Sequence, residues 1–442
     1  MNQKDLHQRL TELMGEQDTS LSFDRVWKAY KKPAKKKWML RTAVAVAGIT
    51  TIGFTSAAFV SPSFASILQK LPFLSSIYEQ PGILSDRGWE QVDRQALATD
   101  VEKTVKDKGI TVKVTDVFYD GVRLALGYDL LIPEEMNEDN QLQVIAKSEI
   151  RGVKTDFMMT DSTNQKVDAN LYRGGITINT STLPESFTLD LKIEQIGEKE
   201  GSWKFAIPVS MTAEVKTFEP RVEAVYKDFQ LRVKKVTASP ASTEVLVEAI
   251  GPKDAWSMIN FGVKDDWGTA LEFAGGGGED RKIDPQTGLE SMTHRLLFGP
   301  LGPVNTKPEY LVLQPKLAIP VREEDHFQKE FVSELKGEYP LEFDGGWLGS
   351  LKVVGTEFQK DKTVLTYQVS NLDHQYSLLF IEDAKGADVF PSKMPVRVKK
   401  EPYEFQMEFP PLNPEESLKL HLIFDGYRKQ EKSPEIKIPL GW

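Results

Sequence analysis

The sequence predicts a mainly β protein carried by a single membrane-crossing helix, and three observations support that expectation. An uncharged apolar stretch, TAVAVAGITTIGFTSAAFV at residues 42–60, follows a cluster of lysines. Beyond Gly109 the apolar residues alternate instead of recurring at helical spacing, and they do so to the end of the chain. The alternating part then repeats its own pattern. The predicted division is a cytoplasmic helical segment at 1–37, a transmembrane helix at 38–60, and a juxtamembrane amphipathic helix with connector at 61–107. Three β-sandwich domains follow at 108–215, 216–325 and 326–442.

Residues 1–37 read as two short helices. Leu6, Leu10, Leu13 and Met14 recur at helical spacing, and Ser22 is placed to cap a second helix with Phe23, Val26, Trp27 and Tyr30 on one side. So short a segment buries no proper core. Its apolar stripes need a partner protein or a membrane surface, unless the segment is a weakly ordered tail. Leu6, Leu10, Leu13, Val26, Trp27 and Tyr30 are therefore the candidate partner-binding residues.

At about 1.5 Å per residue, the stretch 42–60 spans about 28 Å as a helix, close to the hydrocarbon thickness of a bilayer. Lys28, Lys31, Lys32, Lys35, Lys36, Lys37 and Arg41 precede it without an acidic residue among them, and the first acid after it is Glu79. That asymmetry places the N-terminus in the cytoplasm and the long C-terminal part outside the cell membrane, with Trp38 as an interfacial anchor. A cleavable signal peptide ending at Ala65 competes, but its n-region would be far too long. A buried helix of a soluble protein is disfavoured by the adjoining lysines.

After the stretch, Phe64, Ile67, Leu68, Leu71, Leu74 and Ile77 suggest an amphipathic helix along the outer membrane surface or against the first domain. Residues 81–107 are more polar and read as a partly helical connector. Low apolar content between Gln80 and Gly109 makes that connector the expected first site of proteolysis.

Each repeat opens with two alternating strands. They carry Ile110, Val112, Val114 and then Val122, Leu124, Leu126, Tyr128; Phe229, Leu231, Val233 and then Val245, Val247, Ala249; and Leu351, Val353 and then Val364, Leu365, Tyr367, Val369. Each repeat closes alike, with Pro184-Glu185, Pro308-Glu309 or Pro414-Glu415 before a strand. A last strand then ends in Ile207-Pro208-Val209, Ile319-Pro320-Val321 or Ile438-Pro439-Leu440. Opening to closing takes 96 residues from Val112 to Pro208, 89 from Leu231 to Pro320 and 88 from Leu351 to Pro439. That size and strand density fit immunoglobulin-like sandwiches, without the Cys…Trp…Cys signature. Proline in the last strand predicts an edge position, because it donates no ladder hydrogen bond.

The net charge is −10, and because residues 1–41 carry ten Lys/Arg against five Asp/Glu, residues 42–442 carry −15. So acidic a body is a poor nucleic-acid binder, whereas the basic segment suits anionic membrane lipid. Cysteine is absent, which removes thiol catalysis and thiolate metal sites. His7, His294, His326, His374 and His421 are scattered, and His326 beside the acidic run Glu323, Glu324, Asp325 reads as part of an acidic connector between domains. Gly275, Gly276, Gly277 and Gly278 are followed by Glu279 and Asp280, not by Lys-Ser/Thr, so they read as a flexible hairpin loop. No catalytic, cofactor or metal residues are expected, although distant carboxylates that meet in the fold are invisible at this level.

The lysine run, the post-membrane SFASILQKLPFLSSIYE, and KGITVKVTDVFYDGVRLALGYDL resemble Firmicute single-pass proteins of the anti-sigma-factor-like group, whose ectodomains are domains of unknown function. The later LGSLKVVGTEFQKDKTVLTYQV resembles the additional C-terminal domain of many members. The resemblance implies that the cytoplasmic segment holds an extracytoplasmic-function sigma factor and that the ectodomain senses an envelope signal. The His-x3-Cys-x2-Cys zinc pattern of some anti-sigma factors is absent. The alternative expectation is a tethered envelope protein whose β domains bind wall polymer, peptide or another surface protein.

Overall fold

The computed structural model describes residues 87–133, 141–153, 158–180, 183–253, 259–302, 304–317, 326–335, 337–427 and 433–442. The predicted cytoplasmic helices, the membrane stretch and the amphipathic segment lie outside these residues. Among the described residues no helix is long and apolar enough to cross a membrane. What is described is mainly β, with one short α-helix, α1 (Gly88–Arg94).

The first module contains β1 (Thr99–Asp107), β2 (Ile110–Tyr119), β3 (Leu124–Leu131), β4 (Val144–Ile150), β5 (Met158–Asp168), β6 (Leu171–Thr180), β7 (Ser186–Ile196) and β8 (Lys199–Ser210). They form a five-stranded sheet ordered β1-β2-β3-β6-β5 and a three-stranded sheet ordered β4-β7-β8. Alternation puts Val112, Val114, Leu126 and Tyr128 of the first sheet against Leu189, Leu191, Ile193 and Trp203 of the second in one core. The buried Trp203 indole donates to the Ile110 carbonyl at 3.1 Å, so its polar atom is satisfied.

The second module has β9 (Lys216–Phe218), β10 (Val222–Tyr226), β11 (Phe229–Ala238), β12 (Thr243–Gly251), β13 (Ile259–Asp265), β14 (Phe273–Ile283), β15 (Glu290–Phe298) and β16 (Tyr310–Leu317). In the third are β17 (His326–Glu334), β18 (Leu341–Asp344), β19 (Ser350–Phe358), β20 (Thr363–Val369), β21 (Leu378–Glu382), β22 (Asp388–Val389), β23 (Val396–Lys399), β24 (Glu404–Phe409) and β25 (Lys419–Tyr427). The chain ends with β26 (Ile436–Pro439). The larger sheets run β10-β11-β12-β15-β14 and β18-β19-β20-β24-β23, the same order as in the first module. Even an irregularity repeats. The register shifts between Val114 and Asp116, between Val233 and Lys235, and between Val353 and Gly355, at the same point of each opening hairpin.

The smaller sheets depart from a simple tandem. The second module's is β13-β16-β26, so its third strand comes from the C-terminus. In the third module β25 pairs with β17, which precedes that module's own opening hairpin. In the first module β7 and β8 are joined by the two-residue turn Gly197-Glu198. The later modules instead exchange their closing strands: the chain after β16 crosses to the third, and the chain after β25 crosses back. The sequence assigned all of 326–442 to the third domain, but the pairing gives residues 436–439 to the second. Closing strands of like pattern are interchangeable at an equivalent sheet edge, so local pattern does not reveal which edge each one takes. Ile319, Pro320 and Val321 lie outside the described residues. Pro208 and Pro439 both sit in edge strands, as their missing donor requires.

Two further expectations are corrected. The first module begins at Thr99, not at residue 108, because β1 pairs with β2. β1 is an edge strand with mostly exposed side chains, so it carries no apolar alternation to read. The glycine run is not a loop but part of β14, paired with β15 from Gly275 opposite Leu297 to Gly278 opposite His294. A Cβ on Gly276 would stand 2.5 Å from the Arg295 carbonyl oxygen, so glycine permits this close approach.

Candidate functional site

The shift at Thr115 turns the end of β2 over. Val117 and Tyr119 stay in the first core, while Phe118 joins a separate cluster on the outer face of the sheet with Ala125 of β3. α1 lies on that face. Trp89 packs edge-on against Phe118 with ring centroids 6.3 Å apart, and Val92 and Leu97 complete the cluster with Ala241 of the second module. Arg123, in the turn after β2, places its guanidinium 4.9 Å from the Trp89 ring centroid.

The start of α1 is held by the other modules. Arg87, its N-cap, makes no side-chain cap; instead the Glu272 carboxylate accepts from the Arg87 backbone N–H at 2.9 Å. Glu272 also pairs with the Arg87 guanidinium at 3.2 Å. An acidic group here complements the helix dipole, and the acceptor is on a residue 185 positions away. Arg87 donates further to the Met394 carbonyl of the third module at 2.8 Å, and Glu90 meets Lys393 at 3.6 Å. A seven-residue helix is unstable alone, so α1 exists because three modules hold it. Within the stretch 80–109 expected to be cut first, Gly88, Trp89, Val92 and Leu97 are buried, whereas Arg94, Gln95 and Ala96 are exposed.

Acidic residues stand on the same outer face of the first sheet as Phe118. Asp116 is 6% exposed and accepts from the Thr115 hydroxyl at 2.7 Å. Its directly opposed partner on β1 is Asp100. Burial pushes the Asp116 carboxyl up to about 7 against the pull of the Thr115 hydrogen bond, and the charges of Asp100, Asp93 and Asp129 add to the rise. Asp129 is also raised by burial, although Arg173 lies 3.0 Å away and opposes it.

The modules are joined by buried polar contacts. Between the first and second, Asp120 is fully buried and accepts from the backbone N–H groups of Val122 at 2.9 Å and Arg123 at 2.6 Å, and from the Ser239 hydroxyl. Arg295 donates to the Val122 carbonyl at 2.6 Å while pairing with Glu244 at 2.6 Å. Arg295→Met leaves Glu244 buried with only Lys235, 3.6 Å away, to answer it. We expect a loss of about 3 kcal/mol in chemical denaturation, partly recovered when Glu244→Leu is added. A double variant no more stable than the single one would contradict this.

Between the second and third modules, the Tyr376 hydroxyl donates to the Ala270 carbonyl at 2.5 Å and the Ala270 N–H donates to Gln375 Oε1 at 3.1 Å. Arg397, described further below, binds the segment around Trp267.

No group of three or more His, Cys, Asp or Glu among the described residues is placed to hold a metal ion. A recess beside Phe229, Ala249, Gly251 and Met292 has a cavity volume of only about 10 Å³, far below that of a ligand pocket. His294 is buried against Phe261, and burial lowers its pKa. His326 bonds Asp425 at 2.6 Å and His421 bonds Glu330 at 3.0 Å, so both tie β17 to β25. His326 thus begins a strand and is not part of a connector. Leu6, Leu10, Leu13, Val26, Trp27 and Tyr30 lie outside the described residues. The sequence reading missed α1 as a junction, although Trp89, Val92 and Leu97 in an otherwise polar segment were a usable signal.

These features define a class: a chain of two-sheet β modules whose larger sheets share one strand order, locked at a shared helical junction. Residues 34–130 match a family described as a domain of unknown function (DUF4179). The match runs from the lysine cluster through the apolar stretch to β3 and covers less than a quarter of the chain. No curated protein matches. Among solved structures, a conserved domain protein from Bacillus anthracis is similar at 18% identity and a TM-score of 0.42, covering 63% of this chain and 90% of that one.

Proposed function

We propose that the chain is a single-pass membrane regulator of the anti-sigma kind, with three immunoglobulin-like sandwiches outside the cell. In this reading residues 38–60 cross the membrane. Residues 1–37 present Leu6, Leu10, Leu13, Val26, Trp27 and Tyr30 to an extracytoplasmic-function sigma factor, helix in groove. The modules outside sense an envelope signal. The observation that carries the reading is the order of parts along the chain. A short, basic segment with apolar stripes is followed by an uncharged stretch of bilayer length, and then by a large acidic β body. The match over 34–130 supports treating lysines, apolar stretch and first hairpin as one continuous piece. The recurrent pairing of a larger sheet of one strand order with a smaller second sheet supports the sandwich assignment.

The test is co-purification from membranes. Full-length chain should retain a sigma factor, whereas Leu10→Asp with Trp27→Asp should release it and raise transcription from that factor's promoters. Equal recovery with both chains, or no sigma factor with either, would remove the basis for this reading.

A further inference from the structure

Residue 87 is where the chain from the N-terminal side enters the described body, and the helix it opens is seated over a buried carboxylate. Asp116 is two residues before Phe118 on β2 and shares with it the sheet face on which Trp89 and Val92 pack, and no cation among the described residues is bonded to it. The charged groups around it are mostly acidic or already engaged. From α1 it faces Asp93, while Glu90 and Arg94 pair with each other at 2.7 Å. From β1 it faces Asp100, while Glu102 is paired with Lys113 of β2 at 2.7 Å and Lys103 donates to the Ala206 carbonyl. From β3 it faces Asp129, which is held by Arg173 of β6. The Arg123 guanidinium stands 4.9 Å from the Trp89 ring centroid and has further contacts of its own. A proton on Asp116 removes a charge that would otherwise be buried directly opposite Asp100, where like charges repel.

We propose that α1 is a pH-sensitive latch: with Asp116 protonated the helix seats across the three modules, and with Asp116 ionised it lifts, releasing the chain that leads into residue 87. This goes beyond the regulator reading and holds whether or not residues 1–37 bind a sigma factor.

The sign follows from the direction of the shift. The seated state holds the Asp116 proton up to about pH 7, whereas an exposed aspartate releases it near 3.8. The contribution of Asp116 to seating is complete below pH 3.8, falls as pH rises toward about 7, and is flat above.

The test uses the full chain in detergent micelles, with hydrogen exchange of residues 88–98 followed at about pH 5.5 and about pH 8 and corrected for intrinsic rates. Opening should increase roughly ten- to thirtyfold at the higher pH. Asp116→Asn should stay protected at both. Equal opening at the two pH values, or an undiminished pH dependence in Asp116→Asn, would overturn the proposal. If that variant does not fold, Asp100→Asn on the exposed edge strand removes the facing charge. It should then move the midpoint of opening, which Asp116 sets, and an unmoved midpoint would equally count against the latch.

Discussion

Removing residues 433–442 is expected to unfold the smaller sheet of the second module and to leave that of the third intact. Ile436, Ile438 and Leu440 are buried in the second module's core with Leu311, Leu313 and Val263. At about 1.5–3 kcal/mol for each buried aliphatic side chain, the truncation costs about 5–9 kcal/mol before the lost β16–β26 hydrogen bonds are counted. That is comparable to the total stability of an ordinary domain, about 5–15 kcal/mol. The third module should survive because β25 keeps both neighbours, β17 and β21. Hydrogen exchange by mass spectrometry separates the outcomes. Protection should be lost at residues 259–265 and 310–317 and retained at 326–334 and 419–427. The reverse pattern would mean that the closing strands are not exchanged.

Arg397→Met should loosen the contact between the second and third modules at a cost of about 3–5 kcal/mol. Arg397 is buried and donates to the carbonyls of Trp267 at 2.6 Å, Lys399 at 3.1 Å and Lys400 at 2.7 Å, and to the Thr269 hydroxyl at 2.9 Å. Its guanidinium also stands 5.0 Å from the Tyr403 ring centroid and 5.9 Å from that of Trp267. Two effects compete. Burial disfavours the charged guanidinium and lowers its pKa, so an apolar replacement escapes that penalty. Methionine, however, strands all four acceptors, and unsatisfied buried acceptors cost about 1–3 kcal/mol each without adding fully. The second effect should win. Arg397→Lys should recover only part of the loss, because an ammonium cannot reproduce the planar fork. A denaturation midpoint for Arg397→Met equal to that of the parent chain would refute the assignment.

Much of each module was legible because strand patterning is local. Val112, Val114, Leu124 and Leu126 alternate because one face of the sheet meets the core, and that face can be read from the residues themselves. The edge position of Pro208 was legible because a missing N–H has few permitted places in a sheet. β1 was not, since an exposed edge strand such as TDVEKTVKD buries too little to show a period. The glycine run was misread because the signal for a loop and the signal for close strand approach are the same residue. Phe118 and Ala125 are buried on the sheet face that alternation reserves for solvent, and only the presence of α1 explains them.

By itself, then, the sequence determined the parts: an apolar stretch of bilayer length behind a lysine cluster, and three sets of strands with their turns and edges. Tertiary structure alone decided which partners those parts took. β26 and β17 suit equivalent edges of two similar modules, and nothing within either strand distinguishes one edge from the other. α1 has too few residues to be a helix without Phe118 beneath it, Glu272 at its start and Met394 beside it. Asp116 is an ordinary strand aspartate until that helix covers it. In each case the deciding energy comes from contacts between residues far apart in the chain, and local period and propensity carry no record of those contacts.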